Sequence, residues 1–403
     1  MQLDAAATAA RMNADLAKNL QHKGRITSPQ VAAAFAAVPR HLFVPGTPLE
    51  DAYRDDVVFT DRDADGQPVS SVSAPWLVAT MLERLRARPG DKVLEVGSGG
   101  YNAALLSYLV GAESSVTSQD IDPDVIDRAA QCLEAAGYPK VRLVTGDGHF
   151  GVPDGAPYDR IMVTVQATAI APAWLDQLAD DGRLVVPLRL RGMGRLLTFT
   201  REGNHWRGGG WDLCGFVRMR GQAENAMGTT LLGGGVRLRW DGGPQPDRDA
   251  LTTALASERQ EAWTGVTVGV TEGTRPVVDM WLATVLDVFG RLHVDQQIPD
   301  RQGGPWTLPG GSSATWSTGS IAYLTMRPVD DGDSRFEYGV AWHGPDGSLA
   351  ESYARQLRAW DRDHRRGTGP ALLLYPEGSA HQPVPAAGRV LERPGPRMVL
   401  AWQ

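Results

Sequence analysis

A glycine-rich turn follows a short apolar segment near residue 97. Residues 93–102 read Val-Leu-Glu-Val-Gly-Ser-Gly-Gly-Tyr-Asn. Glycine lets the backbone pass close beneath a ligand, because it has no Cβ. Such a turn between a strand and a helix binds either the pyrophosphate of a dinucleotide or the amino-acid half of S-adenosyl-L-methionine (SAM). Two details favour SAM: Glu95 precedes the first glycine, and Asn102 replaces the third glycine of GxGxxG.

Two acidic residues downstream extend this candidate site. Asp120 follows the predicted strand 116–119, and Asp147 lies between two glycines after the next predicted strand. An acid at the tip of a strand accepts both ribose hydroxyls of a nucleotide, a role that Asp122 could share or take over. Asp147 could accept a hydrogen bond from the adenine amino group. The predicted cofactor contacts are Glu95, Gly97, Ser98, Gly99, Asn102, Asp120, Ile121, Gly146, Asp147 and Gly148.

Strands and helices alternate around these residues. The hydrophobic pattern predicts strands at 93–96, 116–119, 141–144, 159–165 and 183–188, and helices at 75–87, 102–110, 123–136 and 172–179. This alternation is typical of an α/β fold with a doubly wound, Rossmann-like parallel sheet. Ligands of such sheets bind at the carboxyl ends of the strands, where the glycine turn and both acids lie.

The flanking segments have other patterns. Helices are predicted at 5–22 and 29–38, the second starting at Ser28–Pro29, and a loop at 60–68. Beyond about residue 200, glycine and tryptophan become frequent and helical periodicity thins. There we predict a mixed α+β domain with strands at 265–270, 280–288, 319–326, 336–342 and 371–375, a helix at 349–364, and linkers at 241–249 and 300–313.

Three parts of the chain are therefore expected. They are an N-terminal helical or lid segment at 1–70, a SAM-dependent domain at 71–200, and a Trp-rich C-terminal domain at 201–403. Ten tryptophans beyond residue 200 are expected to be mostly core, because Trp buries a large area, although some could line a peptide groove.

Composition argues against several classes of protein. The chain has 403 residues, a formal net charge of −7 and no basic stripe, so nucleic acid is not an expected partner. It has no apolar run long enough to span a membrane and no signal-peptide pattern, which predicts a cytoplasmic location. The two cysteines and scattered histidines predict neither a disulfide framework nor a metal site. The oligomeric state is not predicted.

Several motifs together resemble the protein-L-isoaspartate O-methyltransferase family over about residues 20–200. Residues 38–45 (VPRHLFVP) are similar to its VPR..FVP segment, 52–56 (AYRDD) to its AY.D segment, and 71–75 (SVSAP) to its TISAP/TISQP active-site motif. The glycine turn, Asp120 and the loop after residue 146 follow in family order. The resemblance implies a methyltransferase with SAM as cofactor, S-adenosylhomocysteine as product, and Ser73 and Ser71 as the catalytic pair.

The chain departs from that family in three ways. Its glycine turn is one residue shorter, Ser71 replaces the usual Thr, and about 200 residues follow the conserved sheet. Residues 214–221 (CGFVRMRG) and the Trp-rich tail resemble an extended form found in actinobacterial clusters for lanthipeptides, graspetides and lasso peptides. That resemblance implies methylation of an Asp side chain in a ribosomally made precursor peptide, already cyclised, which then forms an aspartimide and can hydrolyse to isoaspartate.

The serine motif has no general base beside it, and methylation of a carboxylate does not require one. A carboxylate has a pKa of about 4 and is already a nucleophile at neutral pH. The enzyme's task is alignment of the reacting atoms. Ser73 is the candidate to orient the carboxylate, with Ser71 as the second. The alternative is that Ser73 only caps the helix that begins near Pro75.

Three functions remain open on the sequence. The first is Asp methylation in a precursor peptide, and the second is isoaspartyl repair with the tail as an accessory. The third is a SAM-binding partner of a peptide-modifying enzyme, without turnover, which the shortened glycine turn leaves open.

Overall fold

A computed structural model describes residues 2–111, 115–222, 224, 227–270, 272, 276–295, 307–308, 310–329, 334–379 and 384–402. The chain forms two compact units. The first comprises the described residues within 1–189, 194–224 and 393–396, and the second those within 190–193, 225–392 and 397–403. The observed division differs from the expected one at residue 200, because the strand His205–Leu213 pairs with the sheet of the first unit.

The first unit is built from helices around a mainly parallel sheet. Its helices are α1 (Gln2–His22), α2 (Pro29–Ala37), α3 (Leu49–Ala52), α4 (Pro75–Leu85), α5 (Tyr101–Val110), α6 (Pro123–Ala135) and α7 (Pro172–Asp176). Its strands are β1 (Val58–Arg62), β2 (Pro68–Val72), β3 (Val93–Val96), β4 (Val116–Asp120), β5 (Arg142–Thr145), β6 (Tyr158–Val163), β7 (Leu178–Leu190), β8 (Met193–Glu202) and β9 (His205–Leu213).

The sheet of the first unit confirms the predicted α/β fold. Its strand order is β9-β8-β7-β6-β3-β4-β5, and the strands from β7 to β5 are parallel. All four residues of β3 are buried, as expected of a central strand covered on both faces. The carboxyl ends of β3, β4 and β6 therefore lie side by side.

Local signals located most of these elements correctly. Ser28 caps α2, where its Oγ accepts a hydrogen bond from the amide of Val31. The segment 60–68, expected to be a loop, instead forms most of a hairpin in which β1 pairs with β2. Its acidic and glycine residues mark only the turn, where the Asp63 amide donates to the Gln67 carbonyl. The helix expected at 172–179 ends at Asp176, since β7 begins two residues later.

The second unit is mixed α+β. Its strands are β10 (Gly228–Leu231), β11 (Val236–Trp240), β12 (Gln260–Gly269), β13 (Gly290–Val294), β14 (Ser312–Ser317), β15 (Ser320–Val329), β16 (Arg335–His343), β17 (Pro370–Tyr375), β18 (Gly388–Leu391) and β19 (Arg397–Trp402). Its helices are α8 (Arg248–Leu255), α9 (Pro276–Val285) and α10 (Ser348–Ala359). Helix α10 continues as a π-helical turn at Trp360–His364. An antiparallel sheet runs β10-β11-β13-β14-β15-β16-β12, and β19 pairs with both β17 and β18.

Four predictions for the chain beyond residue 200 need comment. The strand expected at 280–288 is wrong, because Pro276 starts helix α9 there; short apolar runs suit either structure. The expected linker 241–249 ends early, at the cap of α8. Most of the expected linker 300–313 lies outside the described residues, and its last two residues belong to β14. Trp306 also lies outside them, and the other nine tryptophans beyond residue 200 are buried or half-buried, as expected of core.

A fully buried arginine fixes the segment that precedes α4. Arg40 has 0% of its surface exposed, and its guanidinium lies 5.1 Å from the ring centroid of Tyr101. It donates hydrogen bonds at 2.8–3.4 Å to the backbone carbonyls of Ala52, Asp56, Val72 and Ser73. Since a buried cation must be bonded throughout, one side chain holds both ends of the hairpin β1–β2.

We predict that Arg40→Met lowers the free energy of unfolding by on the order of 3 kcal/mol, because it leaves buried carbonyls without donors. Urea denaturation monitored by circular dichroism measures the change. The control is Arg54→Met, which removes an exposed arginine whose one ion pair among the described residues is with Asp51, and for which we expect less than about 0.5 kcal/mol. Equal effects of the two substitutions would contradict this role of Arg40.

Candidate functional site

A cleft of about 850 Å³ opens at the carboxyl ends of β3, β4 and β6. Among the predicted site residues, those that line it are Ser71, Ser73, Glu95, Gly97, Ser98, Gly99, Asn102, Asp120, Ile121 and Gly148. The structure therefore brings together the serine motif and most of the predicted cofactor contacts.

The glycine turn is closely packed on both sides. Gly97 has a φ of +96°, and a Cβ there would lie 2.7 Å from Thr164 Oγ1 on the loop after β6. Gly99 approaches the serine motif, since a Cβ on it would lie 3.3 Å from the Ser71 carbonyl oxygen. The turn therefore needs glycine for its own geometry, and it places the serine segment beside the turn.

Glu95 ties the end of β3 to the first turn of α5. Its Oε1 accepts a hydrogen bond from Asn102 Nδ2 at 2.7 Å, and its Oε2 accepts one from Ser118 Oγ. Burial raises the pKa of Glu95 from 4.5 to about 7, although the hydrogen bonds from Ser118 and Asn102 oppose the rise. Asn102, where the GxGxxG pattern lacks its glycine, thus holds this carboxyl in place.

Asp120 lies at the tip of β4 with one edge facing the cleft. Its Oδ2 accepts a hydrogen bond from the Ser98 amide at 2.9 Å, and its Oδ1 accepts one from the Asp122 amide at 3.0 Å. Burial raises its pKa, against these hydrogen bonds. Each carboxylate oxygen keeps further lone pairs for hydroxyl donors. Asp122 does not line the cleft and instead caps α6, so the geometry favours Asp120 for the ribose role.

Gly146 and Asp147 differ from the prediction. Neither residue lines the cleft. Both oxygens of Asp147 are used by the backbone: Oδ1 accepts from the His149 amide at 2.9 Å, and Oδ2 from the Gln222 amide at 2.8 Å. The carboxylate therefore holds a loop, and only Gly148 of this trio faces the cleft.

Ser73 does not cap α4, so the helix-cap alternative is wrong. The cap residue is Ala74, and no side chain of the cap bonds to the helix. Asp55 supplies the missing acceptor, because its Oδ1 accepts a hydrogen bond from the Trp76 amide at 2.8 Å. The Ser73 hydroxyl is thus not used at the helix start.

Residues 216–222, which we call the strap, form a wall of the cleft that the residue patterns did not predict. Its residues 216–220 line the cleft. The Gln166 amide donates to the Val217 carbonyl at 2.8 Å, and the Met219 amide donates to the Gln166 carbonyl at 3.2 Å. Two sequence signals lie in this segment: the similarity of residues 214–221 to an extended family form, and Arg218 and Arg220, which could pair with an acidic peptide or simply be solvated.

Unsatisfied polar atoms indicate where a polar ligand belongs. Ser98 Oγ, Asn102 Oδ1 and Gln119 Oε1 are buried without a hydrogen-bond partner, although buried polar atoms are nearly always bonded. All three residues line the cleft around the glycine turn. A ligand with an amino-acid part and a ribose, as in SAM, fits this donor and acceptor set. Across the described part of the chain, no group of three or more His, Cys, Asp or Glu residues is placed to hold a metal.

The parallel sheet, the glycine turn and the acid at the tip of β4 define a Rossmann-like, SAM-dependent methyltransferase. Residues 10–218 match the family described as "Protein-L-isoaspartate(D-aspartate) O-methyltransferase (PCMT)". The chain belongs to this family and is a SAM-dependent carboxyl O-methyltransferase acting on protein or peptide substrates.

Individual relatives support the assignment. The protein-L-isoaspartate O-methyltransferases of Methanoregula boonei and Ignicoccus hospitalis are each 42% identical to this chain, over 191 and 175 residues. These matches cover 47% and 43% of this chain and 84% and 80% of the relatives. A solved structure named protein-L-isoaspartate O-methyltransferase has a TM-score of 0.51 and 22% identity, covering 89% of this chain and 95% of its own, which shows a shared fold. No described helix is both long and apolar enough to cross a membrane.

We predict that the stability conferred by residue 95 depends on pH. Between pH 4.5 and about 7 the folded state keeps a proton on Glu95 that the unfolded state releases. The free energy of unfolding of the wild type therefore falls relative to that of Glu95→Gln as pH rises through this window. The fall is at most about 1.4 kcal/mol per pH unit and stops above about pH 7.

Urea denaturation at a series of pH values tests this, with Glu134→Gln on the exposed face of α6 as the control. The control should follow the wild-type pH dependence, because its carboxyl is in water in both states. Parallel curves for the wild type and Glu95→Gln would refute the prediction.

Cofactor affinity should depend on Asp120. We predict that Asp120→Asn weakens S-adenosylhomocysteine binding by roughly tenfold or more, because hydrogen bonds to a charged acceptor contribute about 1.5–3 kcal/mol each. Isothermal titration calorimetry measures the Kd, and thermal unfolding checks that the variant is folded. The control is Asp127→Asn, exposed on α6 and outside the cleft. An unchanged Kd in a folded variant would remove Asp120 from the cofactor site.

Proposed function

We propose that this protein methylates the free carboxylate of isoaspartyl residues in proteins or peptides. The family match and the relatives named protein-L-isoaspartate O-methyltransferase support this substrate. The observation that carries it is the position of the Ser71–Ser73 segment beside the glycine turn in one cleft.

The chain's own groups suit a reaction that needs alignment and no base. Bound SAM supplies an electrophilic methyl group, and the substrate carboxylate is ionised at neutral pH. The Ser73 hydroxyl, free of the helix start, donates a hydrogen bond that fixes the carboxylate, and Ser71 is the second candidate. Arg40 holds the Ser73 carbonyl at 3.0 Å, so the backbone that carries the hydroxyl is itself fixed.

The cofactor contacts divide into three groups in this proposal. Gly97, Ser98, Gly99 and Asn102 hold the amino-acid part of SAM, with Glu95 positioning Asn102. Asp120 and Ile121 hold the ribose, and Gly148 lies next to the base. The second unit, which follows the residues matched by the family, is proposed to bind the protein or peptide around the target.

A second candidate is Asp methylation in a ribosomally made, cyclised precursor peptide, leading to aspartimide. It is favoured by the chain beyond residue 218, which the family match does not cover, and by the similarity of residues 214–221 to the extended form. The third candidate, a SAM-binding partner without turnover, has less support, because the family match and the relatives named protein-L-isoaspartate O-methyltransferase indicate an enzyme.

Matched peptides distinguish these functions. We predict that the protein transfers a methyl group from SAM to an isoaspartyl peptide at least about tenfold faster, in kcat/KM, than to the same peptide with L-Asp. Mass spectrometry detects the methyl ester, and a cyclised precursor peptide with L-Asp is tested in parallel. Ser73→Ala is the matched variant: it should lower kcat and leave the Kd for S-adenosylhomocysteine unchanged.

Each result selects one candidate. If only the cyclised L-Asp peptide is methylated, the function is Asp methylation in a precursor peptide and not isoaspartyl repair. Binding of S-adenosylhomocysteine without methylation of any peptide would favour the non-catalytic partner.

A further inference from the structure

The strap brings three long side chains to the cleft. Met219 is 4% exposed, and its Cε would lie 3.3 Å from a Cβ on Gly148. Arg218 forms an isolated β-bridge with Gln166. Arg218, Met219 and Arg220 all line the cleft.

The two arginines have different surroundings. Arg220 Nη2 lies 3.1 Å from Asp122 Oδ2 and 3.8 Å from Asp120 Oδ1, so its charge is neutralised at the ribose end of the cleft. Arg218 is exposed and lines the cleft, and within the described residues its side chain makes no hydrogen bond or ion pair.

Arg218 is therefore the charge in the cleft that lacks a counter-charge. The ionisable acids and bases lining the cleft, tyrosine aside, are Glu95, Asp120, Arg218 and Arg220. Both acids already accept two hydrogen bonds each from the protein, and Arg220 has its aspartates. An anionic peptide that enters the cleft would meet Arg218 as its available cation among the described lining residues.

We propose that Arg218 is a specificity residue that pairs with a second carboxylate of the substrate, on a residue flanking the methyl acceptor. This inference rests on the proposed carboxylate methylation. A planar guanidinium binds a carboxylate through both oxygens. Bound to the reacting carboxylate, Arg218 would occupy the oxygens that must attack. Bound to a neighbouring carboxylate, it holds the peptide and leaves the reacting oxygens to Ser73. The preferred substrates are thus acidic peptides.

Two isoaspartyl peptides that differ only in their flanking residues test the proposal. One carries Asp and Glu beside the acceptor, and the other Asn and Gln. We expect the wild type to bind the acidic peptide roughly tenfold to hundredfold more tightly, the range for a hydrogen bond between charged groups. Arg218→Gln should abolish that preference while leaving the neutral peptide and the Kd for S-adenosylhomocysteine unchanged. Arg218→Glu should instead prefer a peptide with flanking Lys.

Fluorescence anisotropy of labelled peptides, with S-adenosylhomocysteine present, gives the Kd values, and kcat/KM gives the same comparison in turnover. Lys140→Gln removes one positive charge at an exposed position outside the cleft and serves as the control; its peptide preference should equal that of the wild type. The role of Arg218 is overturned if the wild type binds the acidic and neutral peptides with equal affinity. It is also overturned if the wild type binds neither peptide. Acid-selective binding without methylation would instead overturn the proposed function and leave Arg218 as a peptide-binding residue.

Discussion

The buried guanidinium of Arg40 is the interaction on which the geometry of the cleft depends. A cation with no exposed surface is tolerated only where every N–H finds an acceptor, and here the acceptors are carbonyls from α3, the hairpin β1–β2 and the segment before α4. One side chain thus bonds to all of these short pieces, including the carbonyl of Ser73. The same segment lies against the glycine turn, since a Cβ on Gly99 would lie 3.3 Å from the Ser71 carbonyl oxygen.

The cofactor side of the cleft is built from a second buried polar network. Glu95 is held by a residue on α5 and one on β4, and Asp120 by amides on either side of it. Water is excluded from Glu95, and this raises its pKa toward neutrality. Among the described residues, buried polar atoms of Ser98, Asn102 and Gln119 lie beside this network without a hydrogen-bond partner and line the cleft where a ligand would lie. Pre-placed polar groups of this kind bind a cofactor without rearrangement.

Short stretches of sequence were enough to predict much of the fold and the class of cofactor. A short apolar run located β3, since a strand covered on both faces needs apolar residues throughout. The more polar strand β4, which reads Val-Thr-Ser-Gln-Asp, was located by the alternation of strands with helices. The Gly97 turn and Asp120 follow their strands directly, so their place at one sheet edge follows from the parallel arrangement itself. Ser28 was identified as a helix cap because capping depends on neighbours three residues away. All these features are decided over short stretches of chain.

Tertiary structure decided which polar groups remain available for chemistry. Asp147 was predicted to bind adenine, but it lies outside the cleft, where its carboxylate accepts a hydrogen bond from the Gln222 amide, 75 residues away. Ser73 resembles a helix cap, yet Asp55, 21 residues before the Trp76 amide, fills that role. Arg218 and Arg220 are equivalent in sequence, and only the fold brings Asp122 to the second, 98 residues distant. Sequence fixes the type of group at each position, whereas partners distant in the chain determine which groups are already bonded.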